Sequence, residues 1–77
     1  MNEKAYWAAI STVIKMEMTA ASISQAKLAE KVGVGREAMN AYLAGRREIP
    51  FGIFMKTIDV LGLTPQWVFE EAERRMK

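Results

Sequence analysis

Ser24-Gln-Ala-Lys-Leu-Ala-Glu-Lys-Val-Gly-Val-Gly-Arg-Glu-Ala-Met-Asn-Ala-Tyr-Leu-Ala-Gly45 is the stretch from which the fold is read. Ser24 is a good N-cap for a helix from Gln25 to Lys31, because its side-chain oxygen can accept from an otherwise unpaired first-turn amide. Ser22 and Gln25 form a rival capping box that starts two residues earlier. Gly33 follows the helix where a left-handed C-cap residue is common. Gly35 opens a further helix, Arg36 to Ala44, and Gly45 stands just past its end. Leu28 and Val32 face inward from the first of these helices. Val34, Met39 and Tyr42 complete an apolar wedge, and Ala29 is small enough for a close crossing. The outward positions of the second helix are Arg36, Glu37, Asn40, Ala41 and Ala44, at i, i+1, i+4, i+5 and i+8. That face is polar at its start and small further along.

The flanking sequence extends the helical pattern in both directions. Tyr6, Ile10 and Val13, with Trp7, Ile14 and Met18, recur at helical spacing over Glu3 to Met18. The run Thr19 to Ser24 breaks it. Arg46-Arg47-Glu48-Ile49 reads as a loop. Pro50 suits the first turn of a helix running to Leu61, and Gly62 stops it. Thr64 and Pro65 supply an N-cap and a first helical residue for a last helix ending near Met76. No stretch alternates apolar and polar residues as a half-buried strand would. The pattern predicts an all-α, compact five-helix bundle, one domain over residues 1–77. A chain of 77 residues has a thin stability margin and depends on good helix packing or on a partner.

Composition narrows the function. There is no cysteine and no histidine. Disulfides, thiolate metal sites, the commonest zinc ligand and the commonest general base are therefore missing. No glycine-rich phosphate loop is present either. These absences argue against an enzyme, a bound metal or a cofactor. No apolar run approaches the roughly 20 residues that span a bilayer. Met1-Asn2-Glu3-Lys4 lacks the basic and apolar regions of a secretion signal. A soluble, cytoplasmic protein is expected. Net charge is +2, but residues 24–56 carry six basic side chains against three acidic ones, while the last third is slightly acidic. The excess favours an anionic partner in the middle of the chain, weakly by itself.

Two helices joined by a short glycine turn form the arrangement that inserts a helix into the DNA major groove. The outward residues fit that use chemically. Arg36 can grip guanine O6 and N7, Asn40 can pair with adenine N6 and N7, Glu37 can accept from cytosine N4, and Ala41 can touch a thymine methyl. Plainer roles exist for each. Glu37 at a helix start also complements the dipole. Arg46, Arg47, Lys27 and Lys31 suit solvent, and Trp7, Tyr42 and Trp67 suit the core.

Ser24 to Gly35, Tyr42 to Arg47 and Leu61-Gly-Leu-Thr-Pro-Gln-Trp-Val-Phe69 together resemble the lambda-repressor-like, Cro/repressor-type helix-turn-helix domains, over about residues 10–70. The resemblance implies a double-stranded DNA operator as partner, read in the major groove by the helix 36–44 within a unit spanning 25–44. It implies base reading by Arg36, Glu37, Asn40 and Ala41, and phosphate contacts from Ser24, Gln25, Arg46 and Arg47. Gln25 would also brace a reading residue, and the amides near Phe51 and Gly52 would cradle a phosphate. The implied function is a transcriptional repressor of Cro type, of phage origin or kin. An antitoxin-type autoregulator shares that DNA chemistry, and a helical protein-interaction module without DNA binding is the reading from another class.

Gly35 stands where many relatives have Ser or Thr. Met18 and Leu43 stand where many have an Arg–Glu pair, which points to an apolar contact in its place. The basic N-terminal arm of some relatives is missing. Neither an effector domain nor a small-molecule effector is expected. One recognition helix buries little surface, so a homodimer is expected at least on DNA, with Trp67, Phe69 and Met76 of the last helix as its interface.

Overall fold

Five helices form the computed structural model, which describes residues 2–77: α1 (Glu3–Ala20), α2 (Gln25–Val32), α3 (Arg36–Leu43), α4 (Phe51–Val60) and α5 (Pro65–Arg75). The described residues contain no strand, so the fold is all-α as expected.

Local chemistry sets the helix ends. The Asn2 side chain accepts from the Ala5 amide and starts α1. α1 runs two residues beyond the expected stop at Met18, and the Thr19 hydroxyl bonds back to the Lys15 carbonyl within this extra turn. The chain then reverses at Ser22, whose φ of 56° is left-handed. Ser22 therefore lacks the extended backbone of an N-cap residue. Ser24 has that backbone (φ −80°, ψ 162°) and its hydroxyl accepts from the Lys27 amide, so the cap falls on Ser24. α3 ends one residue earlier than expected, with Ala44 as its C-cap. Pro50 is also displaced by one position. It has an extended ψ of 143° and caps α4 from outside, rather than sitting in its first turn. α5 starts as expected, with the Thr64 hydroxyl accepting from the Trp67 amide and Pro65 at the first helical position.

One apolar cluster draws on all five helices. α1 contributes Ile10, Val13, Ile14 and Met18, and α2 contributes Leu28, Ala29 and Val32. Met39 and Leu43 come from α3, Phe54 and Ile58 from α4, and Val68 and Ala72 from α5. Met18 and Leu43 are thus both in the core, which accounts for the absence of a charged pair at those positions. α5 packs along α1, while α2 packs on both α3 and α4. The rings of Tyr6, Phe69, Phe54 and Trp7 form a chain of edge and stacked contacts with centroids 5.8–6.3 Å apart. Desolvation, and then the charge and hydrogen bond of Glu73, push the Tyr6 phenol above its ordinary pKa. Trp67 departs from the expected core role and is 36% exposed.

Among the described residues, no buried side-chain nitrogen or oxygen lacks a partner. The buried Thr57 hydroxyl, for example, donates to the Ile53 carbonyl at 2.8 Å.

Gly33 and Gly35 give a direct test of the turn. A Cβ added at either would meet nothing within 4 Å, so only the backbone differs. Gly33 has φ +91° and Gly35 has φ −69°. Gly33→Ala should cost about 1–2 kcal/mol from left-handed strain. Gly35→Ser should be neutral or stabilising by a few tenths of a kcal/mol through N-capping, roughly as Ser and Gly rank there. Urea unfolding of the two variants checks the contrast, and equal effects would refute this account of the turn.

Candidate nucleic-acid interface

The turn between α2 and α3 is Gly33-Val34-Gly35. The amides of Gly33 and Val34 both donate to the Ala29 carbonyl, at 2.8 and 3.0 Å. This closes α2 and redirects the chain within three residues. Leu28, Ala29 and Met39 are buried where the two helices meet, and each is 1% exposed or less. The crossing is therefore fixed by packing, and the outer side of α3 follows from it.

Arg36, Glu37, Asn40 and Ala44 are exposed. At about 100° per residue they occupy an arc of roughly a quarter of the helix circumference. The first turn of α3 has no side-chain cap, because Gly35 carries no oxygen. Among the described residues, none of Arg36, Glu37, Arg46 and Arg47 is in an ion pair; the two pairs are Lys27–Glu30 and Glu71–Arg74. These side chains can all meet a ligand without breaking an internal contact between charges.

Ala41 does not belong to this open face. It is 7% exposed. It lies about 40° round from Glu37 toward the buried side of α3. The chain after Gly45 turns back there, and the amides of Arg46 and Arg47 both donate to the Ala41 carbonyl, at 2.9 and 3.3 Å. Its burial leaves little of the Ala41 methyl for the thymine contact expected from the sequence. Ala44 is the small residue that the open face does present.

At the other end of the unit, Ser24, Lys27 and Arg36 line one open groove. The Ser24 oxygen is engaged by the Lys27 amide, which leaves its hydroxyl hydrogen free to donate outward. Gln25, the first residue of α2, is half-buried. Past α3, Arg46 and Arg47 are exposed. The Arg47 guanidinium lies over the Tyr42 ring, 5.3 Å from its centroid, so a cation–π contact orients it.

Two contributors were missed at the level of sequence. The Trp7 indole N–H donates to the Tyr42 carbonyl at 3.0 Å. The buried Ser11 hydroxyl donates to the Leu43 carbonyl. α1 thus holds the C-terminal end of α3 by its backbone. The signal was present: Ser11 is a polar residue in line with Trp7, Ile14 and Met18 on an otherwise apolar stripe.

The expected interface on α5 is not one patch. Trp67 and Phe69 are each 36% exposed and Met76 is 41% exposed. However, Trp67 lies about 160° around the helix from Phe69. Phe69 stacks on Phe54, with centroids 5.8 Å apart, and Phe54 in turn meets Phe51. Phe51 is 71% exposed and extends this apolar edge to the start of α4. Only its amide was considered in the sequence, because a residue just after Pro50 reads as helix entry.

A family model described as helix-turn-helix matches residues 14–68, from the middle of α1 into α5. No curated protein and no solved structure shows a significant match to the chain.

Ser11→Ala should leave the Leu43 carbonyl buried without its partner and cost about 1–3 kcal/mol. Trp7→Phe keeps the ring but removes the donor to Tyr42, and should cost somewhat less. Thermal unfolding and amide exchange of Ala44 and Gly45 check both. Wild-type stability and exchange in the two variants would show that α1 does not hold α3.

Proposed function

The chain belongs to the lambda-repressor-like helix-turn-helix family of DNA-binding regulators, and we propose that it is a transcriptional repressor that reads a double-stranded operator through the major groove with α3. The observation that carries this reading is the exposed row Arg36, Glu37, Asn40 and Ala44, unpaired and standing on a helix whose other side is core. Long side chains at the start of the row reach base edges, and a small residue further along lets the helix approach them.

Direct reading belongs to Arg36, Glu37 and Asn40. Arg36 matches guanine, Asn40 matches adenine, and Glu37 matches the cytosine amino group, each good bidentate pair giving roughly 1–3 kcal/mol of discrimination. Ser24, Gln25, Arg46 and Arg47 hold the phosphates on either side, joined by the amides at the uncapped start of α4. Tyr42 holds the Arg47 guanidinium in place for that contact.

Two copies bind together, since a single helix of this size buries too little DNA surface for tight binding. Phe69, Met76 and the newly apparent Phe51 supply apolar surface for the second copy; all three are exposed. Trp67, on the opposite flank of α5, takes no part in that patch. Sedimentation at micromolar concentration should show a dimer with operator DNA, and a strict monomer in its presence would refute this part.

A selection from random duplexes should return a half-site in two copies. Asn40→Ala should relax the preference at one base position of it. Arg46→Ala with Arg47→Ala should weaken binding to all sequences alike and reduce the salt dependence by about one to two phosphate contacts. Uniform weakening by Asn40→Ala would contradict the assigned reading face. A chain that shifts no duplex even at low salt would instead be a protein-interaction module, the reading that Glu37 and the modest net charge favour.

A further inference from the structure

A second open groove lies between α1 and the C-terminal end of α3. Lys4, Ala8, Thr12 and Lys15 form one wall, and Ala44 and Gly45 form part of the other. All six are exposed. The α1 residues are spaced by four, four and three, so they fall within an arc of about 80°. The two glutamates of α1, Glu3 and Glu17, lie outside this arc, about 100° and 140° from its nearer edge. α1 therefore has no net charge, yet its groove side is purely cationic. Neither lysine makes an ion pair among the described residues. The Thr12 hydroxyl is turned back onto the Ala8 carbonyl, so the two ammonium groups are the polar ends this face offers.

Continuity identifies the occupant. Ala44 is the last exposed residue on the outer side of α3, and it is also a wall of this groove. Arg46 and Arg47 follow it directly. A DNA strand lying against the loop after α3 reaches the groove next. The small residues Ala8, Ala44 and Gly45 leave room for a sugar-phosphate backbone between the lysines. Lys4 and Lys15 are about 16 Å apart along the helix axis, enough for more than one phosphate of a strand.

We propose that the Lys4–Lys15 face of α1 is a phosphate track that extends the DNA interface beyond the bases read by α3. It rests on the major-groove reading given above. It supplies affinity independent of sequence.

Fluorescence anisotropy with the full chain tests it on two duplexes, one carrying the selected site and one scrambled, across a sodium chloride series. Lys4→Ala with Lys15→Ala should weaken both duplexes by the same factor and make the slope of log affinity against log salt shallower by about 1–2. A control of equal charge change outside the groove, Arg74→Ala with Lys77→Ala in the slightly acidic last third of the chain, should leave that slope unchanged. An unchanged slope in the lysine variant, with the unaltered chain binding normally, overturns the phosphate track and leaves the major-groove reading intact. A lower melting temperature with an unchanged slope does the same, since it assigns the lysines to stabilising the end of α3. Failure of the unaltered chain to bind either duplex at low salt overturns the reading beneath it, and the track with it.

Discussion

The second helix of the helix-turn-helix, α3, is only eight residues long. A helix of that length does not persist alone in water, because nucleation is costly and few hydrogen bonds follow it. The last carbonyls of any helix also lack partners within it. Here the amides of residues 44–47 meet the carbonyls of Asn40, Ala41 and Tyr42, and α1 supplies the rest. The indole of Trp7 and the hydroxyl of Ser11 each donate to a carbonyl in the final turn of α3, at Tyr42 and Leu43. Met39 and Leu43 add the apolar contacts beneath. The position of every outward side chain on α3 depends on this hold, combined with the glycine turn that sets the other end.

Charge plays a more local part than the family function suggests. The net excess is small, and its value lies in placement. Arg47 is laid on Tyr42, so an aromatic ring of the fold orients a surface cation. Glu37 is unpaired on the same exposed face as Arg36 and Asn40. Two helix starts, at Gly35 and Pro50, carry no side-chain cap and leave first-turn amides open. These are features of position, and a total charge does not report them.

The sequence was most legible where a residue type has one dominant use. Ser24 and Thr64 cap, Pro65 enters a helix, Gly33 takes the left-handed turn, and Leu28, Val32 and Met39 go inside. It was least legible where two helices far apart in the chain meet. Ser11 interrupts an apolar stripe, and its partner lies 32 residues away. Ala41 has nearly the right spacing for the open face but is almost buried, and helical spacing does not report what packs against a residue. Trp67 and Phe69 both belong to the broad set of apolar residues on the last helix. They point to different flanks of α5, and only Phe69 joins the aromatic chain that runs through Phe54.

The hold on α3 has a consequence for how such a protein changes over generations. Both donors from α1 end on main-chain carbonyls, which every residue type provides. Neither Trp7 nor Ser11 asks anything of the side chains at positions 36, 37, 40 or 44. The part of the molecule that must stay constant and the part free to vary are therefore physically separate. Outward residues can therefore be exchanged one at a time, each exchange tolerated by the fold, while the architecture underneath is inherited unaltered.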